Sequence, residues 1–425
     1  MELKTELTLP AVGLTGFEPP LTELEVSVQE TVHRFARDVL RPIGRELDRM
    51  GPEEAIAPGS PYYDVLAQAA ELGMDPSFFE ELEPEVGVRL ESIVGEELGW
   101  GDPGLAVSLS VAGFPMMMAQ AAGNQELIDL CEGKIGCWML TQPDRGSDVA
   151  TMYGNEWPAG AKGNKGNLTA VVSGDEIVIN GQCSAWVSNG AVAQVALCYI
   201  AADYGNGYLR DDQIANGLAA VVPLDLPGVS RGVPLDKTGQ RPLPQGEVYF
   251  DNVRIPRRFA IAEQDGYYGN LSSAWSHGGT LMCQVFTGVA RSAFELALAY
   301  THERKQGGAK LIEHQLTRYR LGEMARRVEM ARAMARRSLA YARTSPKTHA
   351  YVTAQGKVNV TEQAMEVVGE AFRMFGGNAT SREYPIEKIY RDTCSALIED
   401  GENYVLSLRM GGLLSQLYET GWTQD

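Results

Sequence analysis

The chain of 425 residues has little histidine, five residues in all, and its six cysteines (Cys131, Cys137, Cys183, Cys198, Cys283 and Cys394) form no C-x-x-C pair. A zinc centre is therefore not expected, and neither is a disulfide scaffold in a chain of this length. Reduced thiols in a cytoplasmic protein are the expectation. Basic charge is also short: 37 Lys and Arg stand against 55 Asp and Glu, for a formal net charge of -18. Such a surface repels phosphate, which argues against nucleic acid or an anionic membrane as partner, while a local basic pocket for a small anion stays compatible. No G-x-G-x-x-G follows a strand pattern and there is no P-loop, so the common glycine-rich nucleotide folds are excluded. Residues Met1 to Pro20 carry acidic groups and no apolar run, unlike a secretory signal. One long uncharged stretch exists, Pro103 to Gln125. It is long enough to cross a bilayer, but Ser108, Ser110, Pro115, Gln120 and three glycines make it mildly apolar, and it reads as a buried helix with no membrane span.

What is present falls into three zones, as the length would suggest. Residues 1–135 form an N-terminal helical zone. Leu24 to Phe35, Asp64 to Ala70 and Leu90 to Leu98 place apolar residues at helical spacing, with a Pro/Gly-rich loop around Gly51 to Pro61. Residues 136–262 change period. Ala170-Val171-Val172 and Glu176-Ile177-Val178-Ile179 flank Ser173-Gly174-Asp175 as a hairpin, and Val195 to Ile200, Ala219 to Val222 and Glu247 to Phe250 follow as strands. Gly154 to Asn167 reads as an exposed loop. Residues 263–425 return to helix: Leu316, Leu321, Met324, Val328, Ala331 and Ala335 can share one face of a long amphipathic helix. The class is α+β, with helices on either side of a β domain in sequence, and this order is not the alternation of a Rossmann fold.

Motifs within these zones resemble one family. Thr141-Gln142-Pro143-Asp144-Arg145-Gly146-Ser147-Asp148 resembles the acyl-CoA dehydrogenase signature T-E-P-x-x-G-S-D. Trp186-Val187-Ser188-Asn189-Gly190 resembles W-I-[ST]-N-G, and Phe250 to Pro256 resembles F-x-x-V-x-V-P. Glu303 to Gly308 resembles E-R-x-x-F-G, Glu313-His314-Gln315 resembles E-x-Q, Phe375 to Asn378 resembles G-G-x-G, and Tyr384-Pro385 with Arg391-Asp392 resembles Y-P…R-D. Each motif alone is weak, but seven occur in family order from Thr141 to Asp392. The resemblance implies an acyl-CoA dehydrogenase-like fold: a helical N-domain, a β-barrel-like middle domain and a C-terminal helical bundle. It also implies bound FAD, an acyl-CoA thioester substrate, an electron-transfer flavoprotein as a possible partner, and a homo-oligomer, dimer or tetramer.

The same resemblance implies site residues. Thr141 and Ser188 match positions beside the isoalloxazine, where hydrogen bonds tune electron affinity. Trp186 matches an aromatic packed on the ring, and Ser147 a residue at the pyrophosphate and substrate mouth. Trp138, Leu140, Gly146 and Glu402 complete the cofactor set on this side. Arg304 and Gln315 match positions that reach the FAD of a neighbouring subunit, where a guanidinium suits phosphate. Gly376 and Gly377 match a close backbone approach to the cofactor. No metal is implied.

The catalytic base falls on Asp400. The family carries Glu before Gly nine residues after the R-D arginine, and counting from Arg391 reaches Asp400-Gly401. A carboxylate in a dry pocket, its pKa raised by burial, suits removal of an α-proton while the β-hydride goes to flavin N5. Asp is shorter than Glu by roughly 1.5 Å, a displacement to which proton transfer is sensitive. The competing reading of Asp400 is a surface carboxylate capping a turn. The family Thr after Gly is Glu402, the aromatic of R-x-x-F-G is Gly307, and Ser276 and Gly279 stand where the family often has an Asp and an Arg near Trp275. These departures point to an unusual acyl group, branched or cyclic. The alternatives are a nitroalkane-type flavin oxidase, whose base is also Asp, and a flavin-binding relative with little turnover.

Overall fold

A computed structural model describes residues 20–73, 78–79, 82–150, 163–345 and 350–421. Met1 to Pro19 and most of the Gly154 to Asn167 segment, as far as residue 162, lie outside the described residues.

The first region is helical, with α1 (Glu23–Phe35), α2 (Arg41–Leu47), α3 (Pro61–Glu71), α4 (Pro84–Gly101), α5 (Pro103–Ala112), α6 (Phe114–Ala121) and α7 (Gln125–Cys131). Local chemistry sets several starts. Thr22 and Glu25 form a reciprocal capping box at α1, and Ser60 caps α3 ahead of Pro61, whose missing N–H costs nothing at a first turn. The uncharged stretch from Pro103 is two helices, not one: the chain bends at Gly113, before Pro115. Pro103 to Ala121 is apolar enough to cross a membrane, and so is the stretch Gln264 to Glu303, but both bury most of their length inside the fold, 56% and 89%.

The sheet follows, built from β1 (Gly136–Met139), β2 (Thr169–Ser173), β3 (Glu176–Gln182), β4 (Val195–Asp203), β5 (Gly217–Pro223), β6 (Val229–Arg231), β7 (Val248–Pro256) and β8 (Ala260–Glu263). The order is β6-β7-β3-β2-β4-β5-β8, and β1 also pairs with β4. Strands β2 and β3 make the expected antiparallel hairpin, in register Thr169 with Asn180 through Ser173 with Glu176. Strands β1 and β2 both run parallel to β4, on Val195 to Cys198 and on Ala201 to Asp203 respectively. Strand β4 is buried on both faces. One face, Ala196, Cys198 and Ile200, packs into the core of the sheet region. The other, Val195, Leu197 and Tyr199, packs on Phe114, Leu271 and Trp275 from the helices. That second face lies directly beneath the site.

The last region contains α8 (Tyr267–Glu303), α9 (Gln315–Thr344), α10 (Ala350–Phe375), α11 (Pro385–Cys394) and α12 (Asn403–Thr420), with a short hairpin of β9 (Lys305–Gln306) and β10 (Ala309–Lys310). Helix α8 runs through the main apolar core, contacting α4, α9 and α10. On α9 the apolar stripe is Leu321, Met324, Val328, Ala331 and Ala335, all buried, whereas Leu316, expected on the same face, is 68% exposed. Leu316 sits in the first turn of α9, ahead of the point where that face meets the core.

Candidate active site

Three segments distant in sequence meet at Asp400. The first is the exit of β1. Trp138, opposite Leu197, stacks on Phe114 with ring centroids 5.1 Å apart and presents its edge to Tyr199. Leu140 is buried beyond it. Thr141 Oγ1 lies 2.6 Å from Ser184 Oγ, and the Ser184 amide donates to the Thr141 carbonyl at 2.9 Å. The T-Q-P-D-R-G-S-D motif then doubles back: Gln142 and Arg145 exchange backbone hydrogen bonds, the Gly146 amide donates to Asp148 Oδ1, and the buried Gln142 side chain accepts from the Leu168 amide. This turn delivers Ser147 Oγ to the Glu402 amide, from which it accepts a hydrogen bond at 2.9 Å.

The second segment is the N-terminal third of α8. Trp275 Nε1 donates to the Asp400 carbonyl at 3.3 Å. Gly278 faces both the Asp400 carboxyl and the β1 indole: a Cβ there would stand 3.2 Å from Asp400 Oδ1 and 3.2 Å from Trp138 Cζ3, so the absent side chain is what lets the two approach. His277 sets its ring edgewise against Phe114 at 5.5 Å, and burial pulls its imidazole down to about 4, leaving it neutral near pH 7. Ser276 and Gly279 are buried in the helix, and the Ser276 hydroxyl has no hydrogen-bond partner among the described residues.

The third segment is the turn between α11 and α12. Asp400 has φ +51°, an uncommon conformation for a residue other than glycine, and is followed by Gly401 at +98°. Part of Asp400 stays accessible, but its carboxyl is enclosed by protein, and burial raises its pKa while the nearby Lys357 ammonium partly opposes the shift. The neighbouring Glu399 is raised to about 7, by burial first and by the Asp400 charge second, and accepts a 2.8 Å hydrogen bond from Gln240 Nε2. Asp400 is thus no solvated surface cap.

Other expected residues are placed as follows. Trp186 lies in a tight turn: its amide donates to Ser184 Oγ, its carbonyl accepts from Gln245 Nε2, and its indole is 62% exposed. Ser188 pairs with Gln245 through the backbone. In the same motif Asn189 is fully buried and ties the sheet to α5, donating to the carbonyls of Ser108 and Gly136. The Glu402 carboxylate is engaged as the N-cap of α12, accepting from the Val405 amide, while its own amide donates to Ser147 on the motif turn. Arg304, Gln315, Gly376 and Gly377 are exposed and gather at the opposite end of the bundle. Tyr300 ties that end together, stacking on Phe375 and accepting from Asn378 Nδ2. Between Gly278 and Arg304 the helical rise of 1.5 Å per residue gives about 40 Å, so these four do not join Asp400 within one chain. Gly307, where the family has an aromatic, forms with Gly308 the two-residue turn of the β9–β10 hairpin, both at positive φ, a conformation that favours glycine.

Sequence reasoning missed Gly278 and Lys357. The signals were a Gly-Gly pair inside an apolar helix and a single lysine among Thr353, Val360 and Thr361.

Residues 137–253 match the family described as acyl-CoA dehydrogenase, middle domain, and residues 271–411 match acyl-CoA dehydrogenase, C-terminal domain, together more than half of the chain. A Bacillus subtilis protein named probable acyl-CoA dehydrogenase YngJ is 27% identical over 391 residues, 90% of this chain and 95% of its own. The cyclohexane-1-carbonyl-CoA dehydrogenase of Geobacter metallireducens is 26% identical over 395 residues, 90% of this chain and 94% of its own. Among solved structures, butyryl-CoA dehydrogenase from Megasphaera elsdenii superposes with a TM-score of 0.78 at 23% identity, covering 94% of this chain and 100% of that one. From fold, ordered motifs and these matches together, the chain belongs to the acyl-CoA dehydrogenase family, flavoprotein oxidoreductases that use FAD and act on CH–CH groups.

Proposed function

We propose that this protein oxidises an acyl-CoA thioester, with Asp400 taking the α-proton. The observation that carries the reading is the convergence of β1, α8 and the turn before α12 on one enclosed carboxylate, against Gly278 and Trp138. Bound FAD would supply the acceptor for the β-hydride. The residues present fit that cofactor. Trp186 keeps most of its indole open although its backbone is held on both sides, and Trp138 Nε1 is buried without a partner among the described residues. Thr141 pairs with Ser184, two residues before Trp186, Ser188 lies two residues after it, and Ser147 accepts from the Glu402 amide, two residues past Asp400.

Each step left to the chain follows from its residues. Burial raises the proton affinity of the Asp400 carboxyl, the direction that suits a general base. The Trp275 indole holds the Asp400 carbonyl, and so the turn, in place. After transfer the proton rests on Asp400. The short base, the glycine at 279 and the likeness to a dehydrogenase of a cyclic acyl thioester support a branched or cyclic acyl group. Exposed Arg304, Gln315, Gly376 and Gly377, about 40 Å along the helix from Asp400, support a homo-oligomer in which they serve a neighbouring copy's cofactor. An electron-transfer flavoprotein would then collect the electrons, and buried thiols fit a cytoplasmic setting.

The test is anaerobic flavin bleaching with butyryl-CoA, glutaryl-CoA and cyclohexane-1-carbonyl-CoA. One of them reduces the parent protein, and Asp400→Asn slows that step by roughly 10³-fold, within the usual range for a lost general base. No bleaching with any thioester, joined to peroxide release with nitroethane, would favour the oxidase reading that the Asp base and the Ser276 and Gly279 replacements also allow.

A further inference from the structure

Lys357 lies on α10 and is completely buried. Its Nζ donates to the Gly401 carbonyl at 2.8 Å and to Asn403 Oδ1 at 2.8 Å. Asn403 Nδ2 in turn donates to Thr361 Oγ1 at 3.2 Å, and Thr361 Oγ1 donates to the Lys357 carbonyl at 2.8 Å. The ammonium is therefore locked by a closed ring of polar groups that joins one turn of α10 to the residues on either side of Glu402. It makes no ion pair among the described residues: the carboxyls it faces are those of Asp400, Glu399 and Glu402 on the turn, and from α8 it faces the Cys283 thiol. A buried cation that spends its hydrogen bonds on a carbonyl and an amide is costly unless nearby anions offset it.

We infer that Lys357 is a positioning residue for the base, fixing the left-handed turn at Asp400 and acting on its carboxyl as an uncoordinated counter-charge. Two consequences follow from one contact. Through the Gly401 carbonyl, Lys357 restrains a backbone that is strained at Asp400. Through space, its charge opposes the rise that burial imposes on the Asp400 carboxyl beside Gly278. An ion pair with direct contact would do the second job too strongly, making the carboxylate a poor base. An ammonium held one residue away acts more mildly, in line with the fall of Coulomb attraction with distance. Burial and these carboxyls leave Lys357 at about 8, so it is mainly charged at neutral pH.

The inference rests on Asp400 being the base, and infrared titration of the flavin-loaded enzyme separates the two. The carboxyl C=O band missing in Asp400→Asn reports that group without any substrate; placing every variant in a Glu399→Gln background removes the adjacent carboxyl. Lys357→Gln keeps a donor for the Gly401 carbonyl and removes the charge. The Asp400 band should then titrate at least one pH unit higher than in the Glu399→Gln parent, and the acid limb of kcat/KM with the best acyl-CoA of the panel should move with it. Lys357→Met should show the same shift and a further tenfold loss of kcat, since the hold on Gly401 goes as well. A band that titrates at the parent pH in both variants overturns the inference. If neither variant folds with flavin bound, Asn403→Asp decides: a carboxylate in contact with the ammonium diverts its charge, and the Asp400 band should again rise, whereas an unmoved band overturns the inference. Full turnover in Asp400→Asn would sink the base assignment instead, whatever the Lys357 variants do.

Discussion

Two pairs of adjacent acidic residues, one fully buried and one half-buried, behave in opposite ways. Glu96-Glu97 sits on α4 inside the helical core. Arg291 donates to both carboxylates, and Arg332 grips Glu96 through two nitrogens at 3.0 and 2.8 Å, while Glu97 also meets His33 Nδ1 at 2.8 Å. Burial alone would push Glu96 up, but Arg332 and Arg291 outweigh it and hold that carboxyl at about 2. Glu399-Asp400 is half-buried, and the Lys357 ammonium beside it donates to a carbonyl and an amide, so the effect of burial wins and both carboxyls rise. Where the hydrogen bonds of nearby cations point, more than how many cations stand near, thus decides whether such an acid is held charged or pushed toward its neutral form.

Removing the guanidinium that defines the structural pair should have the largest effect. Arg291→Met takes a hydrogen-bonded cation from two buried carboxylates and should cost about 3–5 kcal/mol of stability, measured by denaturant unfolding, while the pH dependence of flavin reduction in the folded fraction stays that of the parent. A shifted profile would mean that the two acidic pairs are coupled. The second way to probe the contrast is through pH. Glu399 rises from 4.5 to about 7 on folding, so the folded state binds the extra proton, and the group's cost is absent below about pH 4.5, grows as pH rises and is complete above about 7. Glu399→Gln should therefore stabilise the protein by about 1–3 kcal/mol at pH 8 and hardly at all near pH 4.5. Glu96 has the opposite sign: its folded value lies below its unfolded one, so its contribution is fully present above about pH 4.5 and fades as pH falls toward 2.

Gly278→Ala tests the geometry of the reactive pair. The new methyl group would press on both Asp400 Oδ1 and Trp138 Cζ3, and the displaced base should slow flavin reduction by about tenfold, with little loss of stability. A parental rate would show that the carboxyl is not confined there. Ser147→Ala should be mildest. It removes one hydrogen bond, to the Glu402 amide, worth about 0.5–1.5 kcal/mol, and kcat should fall by a few-fold with the melting temperature nearly unchanged.

Much of the site could be read from linear order because its parts are turns with strict local needs. The T-Q-P-D-R-G-S-D segment carries Pro143, Asp144 and Gly146 where the chain doubles back, and the D-G pair at Asp400 and Gly401 marks a turn at positive φ. Expectations failed where a residue's surroundings come from elsewhere. Leu316 keeps the spacing of its helix face but lies before that face reaches the core. The uncharged run from Pro103 follows the same rule, since composition reported its apolar character while the bend at Gly113 fixed it as two helices.

By itself, then, the sequence determined the order of helical, sheet and helical regions, the turns that carry the family motifs, and the position of one carboxylate before a glycine. Periodicity and turn chemistry are local, and a chain states them wherever they occur. Tertiary structure alone decided that this carboxylate is enclosed. Gly278, Trp138 and Lys357 reach it from more than forty residues away or more than two hundred, and whether a buried cation meets an acid or its neighbouring carbonyl depends on helix packing that no local pattern encodes.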